Sequence, residues 1–215
     1  MRRWLDVNNP IMRFLTTVFD LMALSSMWLI FSVPIVTMGA ASAALYHAVY
    51  HHVRKGEDYL WHSFWSAFKE NLKRSTLCWL AALAVLALLI VDAVVLRGRY
   101  LNGEPFGWLY YVILVLLVLT LTWTIYLAAY AARFSGTARE VLRFSLLLFR
   151  IHPIKMLAVL ALVVGGIALA LTLPAFVILI PATVYWAATF PMESVFYQHL
   201  RPEDKERMEK EKEES

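Results

Sequence analysis

The chain has 215 residues, 60% hydrophobic and only 17% charged, with a mean hydropathy of +0.61 and a formal net charge of +4. A soluble domain carries roughly 25% charged residues, and here the charges are also segregated, with none in 76–91, 108–132 or 156–192. Apolar runs of about 17–25 residues are what a ~30 Å hydrocarbon layer asks of a helix, so composition excludes an ordinary soluble domain and predicts an integral membrane protein.

The first apolar segment, 14–33, starts late, carries Asp20 and has no small-residue cleavage site after it, so it is not read as a cleaved signal peptide. SVPIVTMGAASAAL, residues 32–45, follows. Pro34, like Pro174 later, stands near the outer end of a span, where a helix can stop without stranding backbone groups in lipid. Gly39, Ala40, Ala41, Ser42, Ala43 and Ala44 then put small residues at every helical angle, Gly39 and Ala43 at i and i+4. That is a surface for close helix approach, in its own bundle or with a partner. The second segment, 36–50, is short. Further segments fall near 76–96, 108–132, 156–173 and 175–197.

Two connections look amphipathic. Between spans two and three, Trp61, Phe64, Trp65, Phe68 and Leu72 recur on one helical face with Lys69 and Lys73 off it. Between spans four and five, Arg139, Arg143 and Arg150 form a basic stripe and Leu142, Leu146 and Phe149 another side. Such helices lie in the interface plane with cations toward anionic headgroups. The loop RGRYLNGEPFGW is turn-rich, and the tail 198–215 is too polar to bury. FKENLK before the third span and FRIHPIK before the fifth form an internal echo, either a duplication or the shared demands of an interface.

The distribution of cations tests the count. With six crossings, 18 of the 20 Lys and Arg residues lie on one side, and Arg97 and Arg99 alone on the other. Under the positive-inside rule both termini are cytoplasmic. The expected architecture is therefore all-α: a polytopic bundle over 1–197, about six transmembrane helices in three hairpins (14–50, 76–132 and 156–197), with two cytoplasmic amphipathic helices, in the cell membrane. The pI of 9.2 reads as orientation and not as a nucleic-acid signal.

Few residues could carry chemistry. Asp20, about two turns into the first span, reads as a polar packing contact in the core or with a partner, or as a proton-relay or substrate contact. Asp92 near Arg97 and Arg99 reads as a snorkelling or ion-paired residue, and Glu193 as an interfacial one. His47 and His51 share i, i+4 spacing but lack a third ligand at a fixed offset, so with Tyr46 and Tyr50 they read as interfacial anchors rather than a metal site. The single cysteine, Cys78, excludes an internal disulfide. There is no phosphate-binding glycine loop and no nucleophile elbow. No enzyme, cofactor, metal or nucleic-acid role is expected.

DLMALSSMWLIFSVPIVTMGAASAALYHAVY, from Asp20 to Tyr50, resembles the signature of the YesL-like membrane proteins. In that family an Asp-Leu pair, an aromatic-rich span and a Pro-Ile/Val-Val-Thr-Ile/Met-Gly-Ala run precede a small-residue helix. SFWSAFKENLKR, 63–74, resembles its second block, Phe-Lys-x-Asn before a span, and His152–Pro153 its third. Ser25 departs from the family's asparagine. The resemblance implies an accessory protein encoded beside carbohydrate importers of the ATP-binding-cassette type and their sensor kinases. It implies Pro34, Thr37, Gly39, Phe68, Lys69 and Asn71 as structural-signature positions, not catalytic ones. The expected function is an accessory or regulatory subunit packing against the permease through its small-residue helix and amphipathic helices. The alternatives are a small transporter or channel, alone or as a homo-oligomer, and a membrane regulator of a sensor kinase.

Overall fold

The computed structural model describes residues 10–56, 59–134, 136–173 and 177–199. Seven helices follow one another: α1 (Pro10–Ser32), α2 (Met38–Ala48), α3 (Leu60–Leu101), α4 (Leu109–Arg133), α5 (Ala138–Ile151), α6 (Pro153–Thr172) and α7 (Ile180–His199), with no strand among the described residues. Pro174 and the tail from residue 200 onward lie outside that range. The chain is all-helical, and α1–α2, α3–α4 and α6–α7 pack as hairpins.

Each boundary has a local cause. Val33 precedes a proline, which disfavours helical backbone, and α1 stops at Ser32. A 3₁₀ turn over Ile35–Thr37 reverses the chain. The Thr37 hydroxyl donates to the Phe31 carbonyl (2.7 Å), an acceptor left open at the end of α1, while the Thr37 N–H donates to the Pro34 carbonyl (2.9 Å). A π-helical segment over Val49–Arg54 prolongs α2. The chain is thus helical from Ile35 to Arg54, about 30 Å at 1.5 Å per residue.

The α3 helix ends in a Schellman turn. Gly103 takes φ 68°, its N–H donates to the Tyr100 carbonyl, and Glu104 N–H donates to that of Arg99. A capping box opens α5: Thr137 N–H donates to Glu140 Oε2 (2.8 Å) and Glu140 N–H to Thr137 Oγ1. Pro153 then starts α6.

Two expectations are met only in part. First, about six spans were expected, and four helices among the described residues are long and apolar enough to cross a membrane: Phe14–Ser32, Leu60–Leu101, Leu109–Arg133 and Pro153–Thr172. The segment 36–50 forms a short α-helix with its π extension. The segment 175–197 forms α7, which carries Pro181, Pro191 and Glu193 and falls short in apolarity.

Second, the amphipathic stretch 60–74 is not a separate helix in the interface plane. It is the N-terminal third of α3, which runs 42 residues without a break. The reason is local: no glycine or proline occurs between Leu60 and Arg97, and a change from polar to apolar side chains does not interrupt a backbone. At about 63 Å, α3 is twice the ~30 Å hydrocarbon layer, more than a usual tilt absorbs, so part of it stands outside that layer.

The centre of the fold is α2, where Gly39 through Tyr46 are all buried. It runs antiparallel along the first half of α3, with Gly39 against Ser75 and Trp79 and His47 beside Ser63. Around it lie α1, α4 and α7, which contribute Leu24, Tyr126, Ala188 and Phe196 to one core. Beyond this assembly the α3–α4 hairpin continues alone. No residue of α3 after Leu86 and none of α4 before Thr122 is buried.

Candidate functional site

The small-residue stripe is a contact inside the chain. Ala40 and Ala43 are completely buried, and a Cβ placed on Gly39 would stand 2.7 Å from the Ser75 carbonyl oxygen and closer still to the Trp79 side chain. The Trp79 indole N–H donates to the Ile35 carbonyl (2.7 Å), and the Trp28 N–H to Ser42 Oγ (3.0 Å). Of the two uses expected for this surface, packing in its own bundle or against a partner, the first is seen: α1, α3, α4 and α7 occupy it. Pro34 is exposed at the turn. A hydrogen bond between membrane helices contributes about 0.6 kcal/mol on average, so close packing at Gly39, not these bonds, dominates the α2–α3 contact.

Two further residues of α1 face the same core. Ser25, fully buried, accepts a hydrogen bond from the Ala182 backbone N–H at 3.0 Å. That N–H belongs to the first turn of α7, where a donor lacks an intrahelical partner, so Ser25 caps α7 from another helix. A polar contact thus exists at Ser25, the position where the resemblance led to the expectation of an asparagine. Asp20 Oδ2 lies 3.6 Å from His52 Nε2 at the end of α2, an ion pair when that ring is protonated.

The aromatic face of α3 packs on the end of α1. Phe31 stands 5.7 Å from Phe64, 5.4 Å from Trp65 and 5.0 Å from Phe68 between ring centres. Phe64 and Phe68 are buried, whereas Trp61 stacks on Trp65 and stays exposed. Lys69 covers the Trp65 ring at 4.8 Å.

Asn71 is buried. Its amide donates to the Ala67 carbonyl (2.9 Å), and its carbonyl oxygen accepts from the Arg74 guanidinium. Arg74 also donates to the Ala131 carbonyl, so a cation closes the C-terminal turn of α4, where the helix dipole favours it. The sequence reading counted Arg74 only as an orientation marker.

On α5 Val141, Ser145 and Leu148 are buried against the bundle, with Leu142 and Phe149 half-buried beside them and Leu146 exposed. Trp123 donates to Ser145 Oγ (3.3 Å), and Phe149 meets Tyr126 edge-on. Arg139, Arg143 and Arg150 remain exposed, together with Phe144, Leu146, Leu147 and Ile151. Among the described residues Asp92 makes no ion pair, and Arg99 turns to Glu104 across the loop (4.0 Å).

The densest polar cluster is one the sequence did not assemble. Glu193, on α7, accepts from the Tyr46 hydroxyl at 2.9 Å and pairs with Arg133 at 3.5 Å, with side chains only 11% and 16% exposed. The Arg133 guanidinium lies 4.7 Å from the Tyr50 ring centre. Arg54 donates to the Thr189 carbonyl (3.0 Å) and sits 4.6 Å from the Phe190 ring. Three helices, α2, α4 and α7, are thus joined by an acid and cations that satisfy one another. Glu193 is the hub of this clasp.

These features define an all-helical protein with several helices of membrane-spanning length and apolarity, which fits a membrane protein. Residues 21–93 match the model of a family described as a protein of unknown function, DUF624, which is the YesL-like family. The matched stretch holds α2 and much of α1 and α3, with Ser25, Thr37, Gly39, Phe68, Asn71, Arg74 and Trp79 among its residues. The block at His152–Pro153 lies outside it. No curated protein and no solved structure matches the chain significantly.

Proposed function

We propose that this protein is an accessory or regulatory membrane subunit of a bacterial carbohydrate importer of the ATP-binding-cassette type, packed against the permease helices. The family resemblance supplies the partner class. The observation that carries the mode of action is the α3–α4 hairpin beyond Leu86 and Thr122, whose exposed Leu88, Val91, Val95, Val112 and Val115 are covered by no other described part of the chain. With α2 enclosed, this hairpin is one surface left for helix packing, beside the exposed apolar faces of α1 (Phe14, Phe19, Ile30) and α6 (Leu157, Val164, Leu171). The exposed arginines of α5, flanked by exposed apolar residues, suit contact with anionic headgroups. The 18-to-2 cation bias supports cytoplasmic termini and an even number of crossings, which six spans satisfy.

A stand-alone transporter or channel is less well supported. The polar side chains of the first hairpin that would line a path are spent on holding helices. Ser25 caps α7, Thr37 closes the turn, Ser42 receives Trp28, and Ser26 bonds the Met22 carbonyl.

The test is purification from native membranes in mild detergent, with single cysteines at Leu88 and Val95 in a Cys78→Ser background. Cross-linking of these positions to permease subunits in stoichiometric yield supports the proposal. A clean homo-oligomer that moves a sugar or ion in liposomes overturns it.

A further inference from the structure

The cations at the Glu193 end of the bundle fall into two groups. Arg54 donates to the Thr189 carbonyl, Arg74 to that of Ala131, Arg133 pairs with Glu193, and Lys155 donates to Ser194 Oγ. Arg139, Arg143 and Arg150, on α5, are exposed, and no hydrogen bond, ion pair or ring contact engages their side chains among the described residues. Glu140, the one acid of α5, is held in the capping box by the Thr137 N–H. At about 100° and 1.5 Å per residue, the three arginines lie within roughly 40° of one another on a line roughly 17 Å long.

The course of α5 fixes where that line lies. Its start meets α3, where Arg74 donates to the Gly136 carbonyl and Cys78 to that of Ala138 (both 3.4 Å). Its middle crosses α4, through Trp123 on Ser145 and Tyr126 on Phe149. Only His152 separates its last residue from α6, a helix of membrane-spanning length, so α5 is tied to the level at which α6 begins. Beside the arginines Phe144, Leu147 and Ile151 are exposed, and α6 opens with exposed Ile154 and Leu157. Apolar side chains next to cations at the mouth of a spanning helix match the boundary between acyl chains and phosphates, where a long side chain buries its stem and keeps its charge among headgroups. An acidic protein would meet the same arginines only by displacing lipid from a helix joined directly to a spanning one.

We propose that α5 is a binding site for anionic phospholipid, its three arginines drawing lipids of net negative charge from the adjacent leaflet in preference to zwitterionic ones. Both kinds of lipid carry a phosphate, so it is the unmatched positive charge of the line that discriminates between them. The preference holds with or without a permease partner, and neither reading falls with the other. The full chain, with Leu147→Cys in a Cys78→Ser background, takes a nitrobenzoxadiazole label on an exposed position beside the arginines. It is reconstituted in vesicles of phosphatidylcholine and phosphatidylglycerol, with a 5-doxyl quencher carried by one lipid or the other at equal mole fraction. The quenching constant is expected to be about fivefold larger for the phosphatidylglycerol probe, the weight of one arginine at a membrane surface.

Replacing Arg139, Arg143 and Arg150 together by glutamine brings the ratio of the two constants to about one. Arg97→Gln with Arg99→Gln, which removes cations from the far end of α3, leaves it unchanged. Salt at about 1 M, where the screening length is ~3 Å, lowers the wild-type ratio toward one. Equal quenching by the two probes in the wild type overturns the proposal, as does a ratio that survives the triple replacement in a protein with an unaltered unfolding midpoint. Quenching by neither probe also overturns it, since the face would then lie away from lipid, as a site for an acidic protein would.

Discussion

Replacing Gly39 by alanine adds one methyl group at the tightest point of the α2–α3 contact. Two effects oppose each other. Alanine is favoured over glycine in a helix by up to about 1 kcal/mol. Against that, the new Cβ stands 2.7 Å from the Ser75 carbonyl oxygen and nearer still to the Trp79 side chain. The first obstacle is α3 backbone and the second is the root of a side chain, so neither yields by a rotamer change. Overpacking of this kind costs about 1–3 kcal/mol. The upper end applies here, because α2 must move off α3 and strain the Trp79–Ile35 bond, leaving a net loss of about 2 kcal/mol. For a chain of this size that lowers the unfolding midpoint by about 4–8 °C. The control is the same chemical change at Gly165 on α6, where an added Cβ meets nothing within 4 Å. Gly165→Ala should leave the midpoint unchanged or raise it by about 2–4 °C. Thermal unfolding of both variants in one detergent decides. Equal midpoints for Gly39→Ala and wild type would refute the close approach of α2 to α3, as would equal losses at the two glycines.

The clasp at Glu193 and the cap at Arg74 are tested in the same way. Glu193→Met and Arg133→Met each leave a partly buried charge without its partner, and each should destabilise by about 1–3 kcal/mol, while the double variant recovers most of the loss. A double-mutant cycle on unfolding free energies with no coupling would remove the pair from the account. Arg74→Lys keeps the charge but loses the fork that spans Asn71 and the Ala131 carbonyl, so it should recover less than half of the roughly 1.5–3 kcal/mol lost by Arg74→Ala. Faster amide exchange confined to the last turn of α4 is the accompanying signature.

Much of the fold is legible in the chain because its causes are local. Pro34 and Thr37 mark the first turn, Asn102–Gly103 the end of α3, Thr137 and Glu140 the start of α5, and Pro153 that of α6. Each acts through backbone dihedrals or orphan donors within four residues. The error over 60–74 has the opposite origin. A change in polarity suggested a change in direction, yet the backbone held nothing to stop α3. On α5 the period was legible and the buried line Val141, Ser145 and Leu148 was not, since periodicity fixes a helix and leaves its rotation to what it packs on. Glu193 and Tyr46, 147 residues apart, gave no sign of each other.

The sequence by itself determined that the chain is helical and membrane-like and where most helices begin and end, because propensity, capping and hydropathy are properties of short stretches. Only the tertiary structure decided that the small residues after Pro34 are enclosed by their own bundle, that Ser25 caps a helix far along the chain, and that Arg133 and Glu193 neutralise each other. Those outcomes depend on which surfaces meet in space, and in an apolar environment a shape that fits or a charge that finds its partner is set by the neighbour as much as by the residue.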